Sequence, residues 1–199
     1  SWKIIVEKFR RGEKEMAENC KVIKREVLYV QVQVTSPLSV SSGDNEWTDS
    51  DVLRDADGNP FVTGSSLAGA MRAYLGKKKD DKECFMGFTG KDADGNDDGK
   101  MSSLFVSDMC FDGKYISGVR DGVELNGSKV AVDGSKFDME IIEAMATAHF
   151  YMELTIREQD DEQQIHNELK QIFRGIDEGE ICLGGKKTRG FDDEFTDRV

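Results

Sequence analysis

Residues 52–75 read VLRDADGNPFVTGSSLAGAMRAYL, and the rest of the chain is arranged around them. Asp57-Gly58-Asn59-Pro60 is turn chemistry, because Gly and Asn tolerate positive φ and Pro arrives with its φ fixed. Phe61 and Val62 form a short extended run, and Gly64-Ser65-Ser66 then opens a helix with Ser65 or Ser66 expected as N-cap. Leu67, Met71, Tyr74 and Leu75 fall at i, i+4, i+7 and i+8, a single apolar stripe. Ala68, Gly69 and Ala70 keep the first turns slim. A helical Gly costs about 1 kcal/mol against Ala, so Gly69 implies that another backbone passes close by. A capped helix start preceded by Gly is most often only a cap, but its unpaired N–H groups also suit a phosphate.

Two further stretches keep this one company. Upstream lies PLSVSSGD, Pro37 to Asp44; downstream lies GGKKTRGFD, Gly184 to Asp192. Together with RDADGNPFVTGSSLAGAMR, Arg54 to Arg72, they resemble in order and spacing the three motifs of the RAMP superfamily, the repeat-associated proteins of CRISPR effector complexes. SSLFVSD, Ser102 to Asp108, is similar to that family's S-x-L-F-V-S-D strand, and the resemblance runs from about Tyr29 to Phe191. It implies a ferredoxin-like (RRM-like) α+β fold with a thumb-like hairpin. It also implies a backbone subunit of a type III CRISPR effector that binds guide RNA in a prokaryotic cytoplasm and serves antiviral defence. The partners so implied are the guide RNA, a complementary target RNA, other RAMP subunits or copies of this chain, and a large effector subunit. Two positions depart from the pattern: Ala68 stands where the family usually has Lys, and Asp192 where it has Gly.

Composition bounds the reading. The chain has 199 residues, 38% apolar and 33% charged, which suits one domain with long polar loops. Cys20, Cys84, Cys110 and Cys182 show no close pair, so neither a zinc ribbon nor a disulfide framework is indicated, and reduced thiols are expected. No apolar run reaches membrane-spanning length and no signal peptide is visible. The first residue is Ser, consistent with a tag scar or with excision from a longer fused protein. The net charge of −12 argues against indiscriminate nucleic-acid binding. Its distribution is uneven: Arg72 and Lys77 to Lys79 form one stretch without acids, and Lys186, Lys187 and Arg189 another.

Working outward, residues 1–26 read as an extension or linker and 27–199 as the ferredoxin-like domain. Leu28, Val30, Val32 and Val34 alternate with Tyr29, Gln31 and Gln33, the period of a half-buried strand. Residues 76–101 read as an acidic insertion, expected to be a flexible loop. Within it Asp94 to Gly99 fits the start of a calcium loop, but Phe105 stands where the bidentate Glu belongs. Leu104 to Phe111 reads as a strand with Lys114 to Val119 as its return, residues 120–136 as the thumb-like hairpin, and Phe137 to Met145 as helical. Ala148, Phe150, Met152, Leu154 and Ile156 alternate as a strand. Asp160 or Asp161 caps a second helix striped by Ile165, Leu169, Ile172, Phe173 and Ile176, and Gly175 and Gly179 end it. The order is β-α-β-β-α-β, a ferredoxin-like α+β sheet with insertions, its last strand the weak point because Asp192-Asp193-Glu194 is poor strand material.

For chemistry, the resemblance singles out Asp44, which falls where target-cleaving members carry a loop aspartate. An RNA cut by its own 2′-OH needs deprotonation and charge stabilisation. A carboxylate can supply these as a base or as a ligand of Mg²⁺ or another divalent cation. Asp49, Asp51 and Asp55 lie near it, Asp55 with the look of a turn residue or an Arg54 partner. Ser65, Ser66 and Arg72 at the helix start, and Gly184, Gly185, Lys186, Thr188 and Arg189 in the glycine loop, are the candidate RNA contacts. Trp47 is able to stack on a base or on its own loop. His149 and His166 stand beside no Ser or Cys nucleophile pattern, so no triad hydrolase is indicated. A guide-binding scaffold without catalysis, a guide-processing endoribonuclease and one RAMP domain of a fused effector are the alternatives.

Overall fold

The computed structural model describes residues 21–39, 51–76, 85–88, 90, 94–95, 99–125 and 131–183, with backbone alone for 123–125 and 131–135. Strand β1 (Val22–Gln33) buries Leu28, Val30 and Val32, as the alternation requires. It begins ahead of that alternation, inside the segment expected as an extension. The charged residues there are paired, so charge does not break the strand. Arg25 Nη1 lies 2.9 Å from Glu153 Oε1, and Lys24 Nζ lies 2.8 Å from Glu26 Oε1.

After β2 (Phe61–Val62) comes α1 (Gly64–Gly76), which buries the expected stripe of Leu67, Met71, Tyr74 and Leu75. Its N-cap is Thr63, one turn position earlier than the serines: Thr63 Oγ1 accepts the Ser66 N–H at 3.2 Å. The close backbone pass is likewise at Gly64 and not at Gly69. A Cβ on Gly64 would sit 2.2 Å from the Val106 carbonyl oxygen, whereas one on Gly69 meets nothing within 4 Å.

Strands β3 (Leu104–Val106) and β4 (Met109–Phe111) both pair antiparallel with β7 (Thr147–Arg157). The register moves from Val106↔Met152 to Cys110↔His149, so one extra residue sits at Ser107–Asp108, a bulge. β7 is the centre of the sheet, with Ala148, Phe150, Met152, Leu154 and Ile156 at 0–2% exposure. The sheet order is β1-β7-β4-β2. With α1 and α2 (Glu162–Asp177), this is the ferredoxin-like, RRM-like α+β arrangement through the second helix. The place of a last strand lies outside the described residues.

Asp161 caps α2, accepting from Gln163 and Gln164 N–H, both at 3.0 Å. Gly179, at φ +72, follows the C-cap. Gly175 does not end the helix; it lies inside it because the Tyr74 ring rests where its Cβ would be, 2.6 Å away.

The largest departure is between Ser117 and Ile142. Lys114 to Val119 does not return along β4, and Phe137 to Ile142 is not helical. Strands β5 (Ser117–Leu125) and β6 (Ala131–Ile142) instead form a two-stranded ribbon, longer than the expected hairpin. Cross-strand pairing overrides the helical propensity of Met139 and Glu140. Phe137 covers Gly122 across the ribbon, its ring 2.2 Å from where a Cβ would stand.

The chain divides into two compact units, one of Ser1–Gln31, Thr63–Met109 and Phe150–Cys182, the other of Val32–Val62, Cys110–His149 and Leu183–Val199. The first carries both helices. The second carries the ribbon and a small core that includes Leu38, Val52, Met139 and Ile141. No described helix is long and apolar enough to cross a membrane.

Candidate nucleic-acid interface

The helix start and the bulge explain each other. Ser107 N–H donates to the Tyr151 carbonyl at 2.9 Å, and its Oγ accepts the Tyr151 N–H at 2.8 Å, so the side chain fills the gap in the ladder. The extra residue turns Asp108 toward α1, where Oδ1 accepts the Gly64 N–H at 2.7 Å. A carboxylate thus stands at the positive end of the helix. An RNA phosphate reaching for Gly64 would meet that charge. Ser65 and Ser66 are exposed; Ser65 Oγ donates to Thr63 Oγ1 at 3.1 Å, and Ser66 Oγ shares a 2.8 Å bond with Thr63 Oγ1.

Arg72 is half-buried and donates through Nη2 to the Gly87 carbonyl. Gly87 has φ +74, and a Cβ there would lie 2.4 Å from the Lys100 carbonyl oxygen. The Phe85 N–H donates to Glu168 Oε2 at 3.1 Å, and Lys100 Nζ lies 3.2 Å from Asp160 Oδ1. Phe85 and Met86 are buried. The described parts of the acidic insertion are therefore fastened, and the expectation of a wholly flexible loop fails at Phe85–Phe88 because apolar side chains enter the core there. Asp94 and Gly95 are exposed; residues 96–98 of the calcium-like run lie outside the described residues.

Asp44, with Asp49 and Trp47, lies outside the described residues, but both flanks of its segment are described. On one side Leu38 and Ile142 exchange N–H···O bonds, each 2.8 Å. On the other, the Val52 N–H donates to Glu140 Oε2 at 3.1 Å and Arg54 Nη2 pairs with Glu140 Oε1. Residues 38 and 52 are thus tied to positions 142 and 140 of β6, at the root of the ribbon. Arg54 also donates to the Gly58 carbonyl at 2.9 Å. Burial lowers the Arg54 pKa, but its bonds to Glu140 outweigh this and the net shift is upward. Asp55 is the turn residue expected. Its Oδ1 accepts Asp57 N–H at 2.9 Å and Asn59 N–H at 2.8 Å, and these bonds, Asn59's first, hold its carboxyl below the usual range.

Gly184, Gly185, Lys186, Thr188 and Arg189 also lie outside the described residues, as do Lys77 to Lys79. Of the proposed contacts, the structure brings together Ser65, Ser66 and Arg72 on α1 alone. Two features escaped the sequence. Glu26, Glu162 and His166 offer ligand atoms within 4.8 Å of one another. The cation they hold is Lys24, whose pKa is raised first by Glu162 and then by Glu26. The two acids of this set are thus already engaged by a lysine ammonium. The other is His149, set opposite Cys110 in the sheet and 2.5 Å from Asp112; the pair is invisible in the sequence because the residues lie far apart along it.

The fold and the anchored loop at a ribbon root define a ferredoxin-like α+β protein with a hairpin thumb. Residues 31–191 match the RAMP superfamily, and the chain belongs to it. No curated protein matches the sequence. Among solved structures, it is similar to a chain of the type III-B Cmr-beta complex bound to cognate target RNA, with TM-score 0.60 and 15% identity. That likeness covers 85% of this chain and 58% of the other, so this chain spans little more than half of that relative. A chain of type III-B Cmr-beta in the apo state gives TM-score 0.57 and 14% identity, covering 84% of this chain and 94% of that one.

Proposed function

We propose that this chain is a guide-RNA-binding backbone subunit of a type III CRISPR effector complex and that it cleaves bound complementary target RNA through Asp44. Membership of the RAMP superfamily and the likeness to chains of Cmr-beta complexes support the assembly. The observation that carries the rest is the base of the Asp44 segment. Both flanks are hydrogen-bonded to one strand, at Ile142 and Glu140, so the carboxylate works from a fixed root beside the ribbon. In this reading the ribbon separates segments of the guide–target duplex, and base pairing rather than side chains reads the sequence.

Asp44 takes the proton from the attacking 2′-OH or holds it in line with the phosphate. A divalent cation, when bound, supplies charge stabilisation at the phosphate. Among the described acids at the base, Glu140 is committed to Arg54 and Val52, and Asp55 to its turn; Asp44 is the candidate by its place in the family motif, with Asp49 and Asp51 near it in sequence. In this reading Lys186, Thr188 and Arg189 with Gly184 and Gly185 contact guide phosphates, and Ser65, Ser66 and the remaining donors of Arg72 are further RNA contacts.

The test is cleavage of a labelled RNA complementary to the guide by the assembled complex with Mg²⁺, wild type against Asp44→Ala. Cutting is expected to fall by about 100-fold or more with target binding retained. Unchanged cutting would move the catalyst elsewhere, and tight binding without cutting by the wild type would make the chain a scaffold.

A further inference from the structure

Independently of the RNA reading, we propose that Cys110 is a nucleophilic, modifiable thiol, activated by His149 with Asp112 as the positioning residue. Cys110 is exposed, and in β4 it lies directly opposite His149 of β7. The Asp112 N–H donates to the Thr147 carbonyl at 2.8 Å, which makes 112 and 147 a hydrogen-bonded pair, and Cys110 with His149 is the next such pair along the ladder. Directly opposed residues hold their Cβ atoms about 4.5–5.5 Å apart, within reach of a thiol and an imidazole. Asp112, two residues on from Cys110 on the same face, puts Oδ1 2.5 Å from His149 Nδ1.

A carboxylate can only accept, so Nδ1 carries the hydrogen, and Nε2 is the acceptor of the neutral ring. That is the arrangement a base needs to take a thiol proton. The ligand atoms of the three do not all lie within 4.8 Å of one another. Proton transfer suits that geometry better than metal binding.

The ligand class is a soft electrophile or a peroxide. With hydrogen peroxide, the Cys110 thiolate sulfur attacks one oxygen and the O–O bond breaks. The departing hydroxide takes the proton held by His149 and leaves as water. The sulfur is oxidised to sulfenic acid, the peroxide is reduced, and His149 returns to its neutral form.

The experiment uses the purified full chain and iodoacetamide at pH 7, with alkylation of each cysteine followed by peptide mass spectrometry. Next to an imidazolium a thiol pKa falls by a unit or more, so His149→Gln is expected to slow Cys110 by about tenfold. Asp112→Asn, which preserves shape, is expected to slow it by a few-fold, and Cys182 keeps its rate in both variants. Peroxide followed by dimedone should label Cys110 ahead of Cys182. An unchanged Cys110 rate in His149→Gln would overturn the proposal, and so would equal slowing of Cys110 and Cys182, which would place the effect outside the His149 pair. Equal dimedone labelling of the two would also overturn it.

Discussion

In the unit that carries α1 and α2, polar side chains hold backbone, from the exposed Asp108 to the buried Glu168 and Arg157. Asp108 takes the Gly64 N–H, Glu168 takes the Phe85 N–H, and Arg157 Nη2 donates to the Ser102 carbonyl at 3.2 Å. Glu168 is 1% exposed, so no solvent competes for it. In the unit that carries the ribbon, the polar pairs stand at the surface: Arg54 with Glu140, Arg120 with Glu143, His149 with Asp112. Exposed pairs contribute about 1 kcal/mol or less to stability, so these hold position more than they hold the fold. The buried polar side chains among the described residues, Glu26, Ser103, Arg157 and Glu168, all lie in the first unit, although exposed pairs such as Arg25 with Glu153 occur there too.

The contrast breaks most readily at Gly64. A Cβ there collides with the Val106 carbonyl oxygen at 2.2 Å, and backbone on both sides leaves no flexible atom to yield. Gly64→Ala should therefore cost on the order of 3 kcal/mol, roughly 10 °C in Tm for a chain of this size. Gly69→Ala, on the same helix with open space around it, should be neutral or stabilising by up to about 1 kcal/mol. Thermal melts of the two variants decide it; equal losses would mean that the helix start is not pinned by the bulge.

The same helix shows what a sequence can carry. The stripe of Leu67, Met71, Tyr74 and Leu75 was legible because helical periodicity is local, as was the strand from Ala148 to Ile156. The cap was misread because three hydroxyl residues stand within four positions, Thr63, Ser65 and Ser66, and the bond from Ser66 N–H to Thr63 tells them apart. The segment from Phe137 to Ile142 was misread because its strand state depends on pairing with residues 117–122, which no window of local propensity contains. The site divides in the same way. Asp44 stands out by motif, whereas the anchoring of its flanks to Glu140 and Ile142 is long-range and had no signal in the sequence.

Glu140 sharpens the comparison from the other unit. Glu140→Ala removes the acceptors of both the Val52 N–H and Arg54, yet the pair is partly exposed, so stability should fall by about 1 kcal/mol or less. If the Asp44 segment works from this base, loosening it misplaces the carboxylate, and misplacement by about 1 Å can cost up to about 100-fold in rate. Target cleavage by the assembled complex should thus fall by about tenfold or more while the melt barely moves. A variant that loses stability and keeps its cleavage rate would reverse the roles assigned to the two units.

The smallest effect is expected at Asp55, whose carboxylate is exposed and held below the ordinary value of 3.8, chiefly by the Asn59 N–H. A group whose folded pKa is depressed contributes stability above its unfolded pKa, and that contribution is lost as pH falls through the folded value. Asp55→Asn keeps an oxygen for Asp57 and Asn59 N–H but removes the charge. The difference in Tm between wild type and variant should be small and constant from pH 7 to pH 5, then close between pH 4 and pH 2. A gap that persists at pH 2 would assign the effect to shape rather than charge. The turn would then resemble Gly64, where geometry decides, more than the exposed pairs of its own unit.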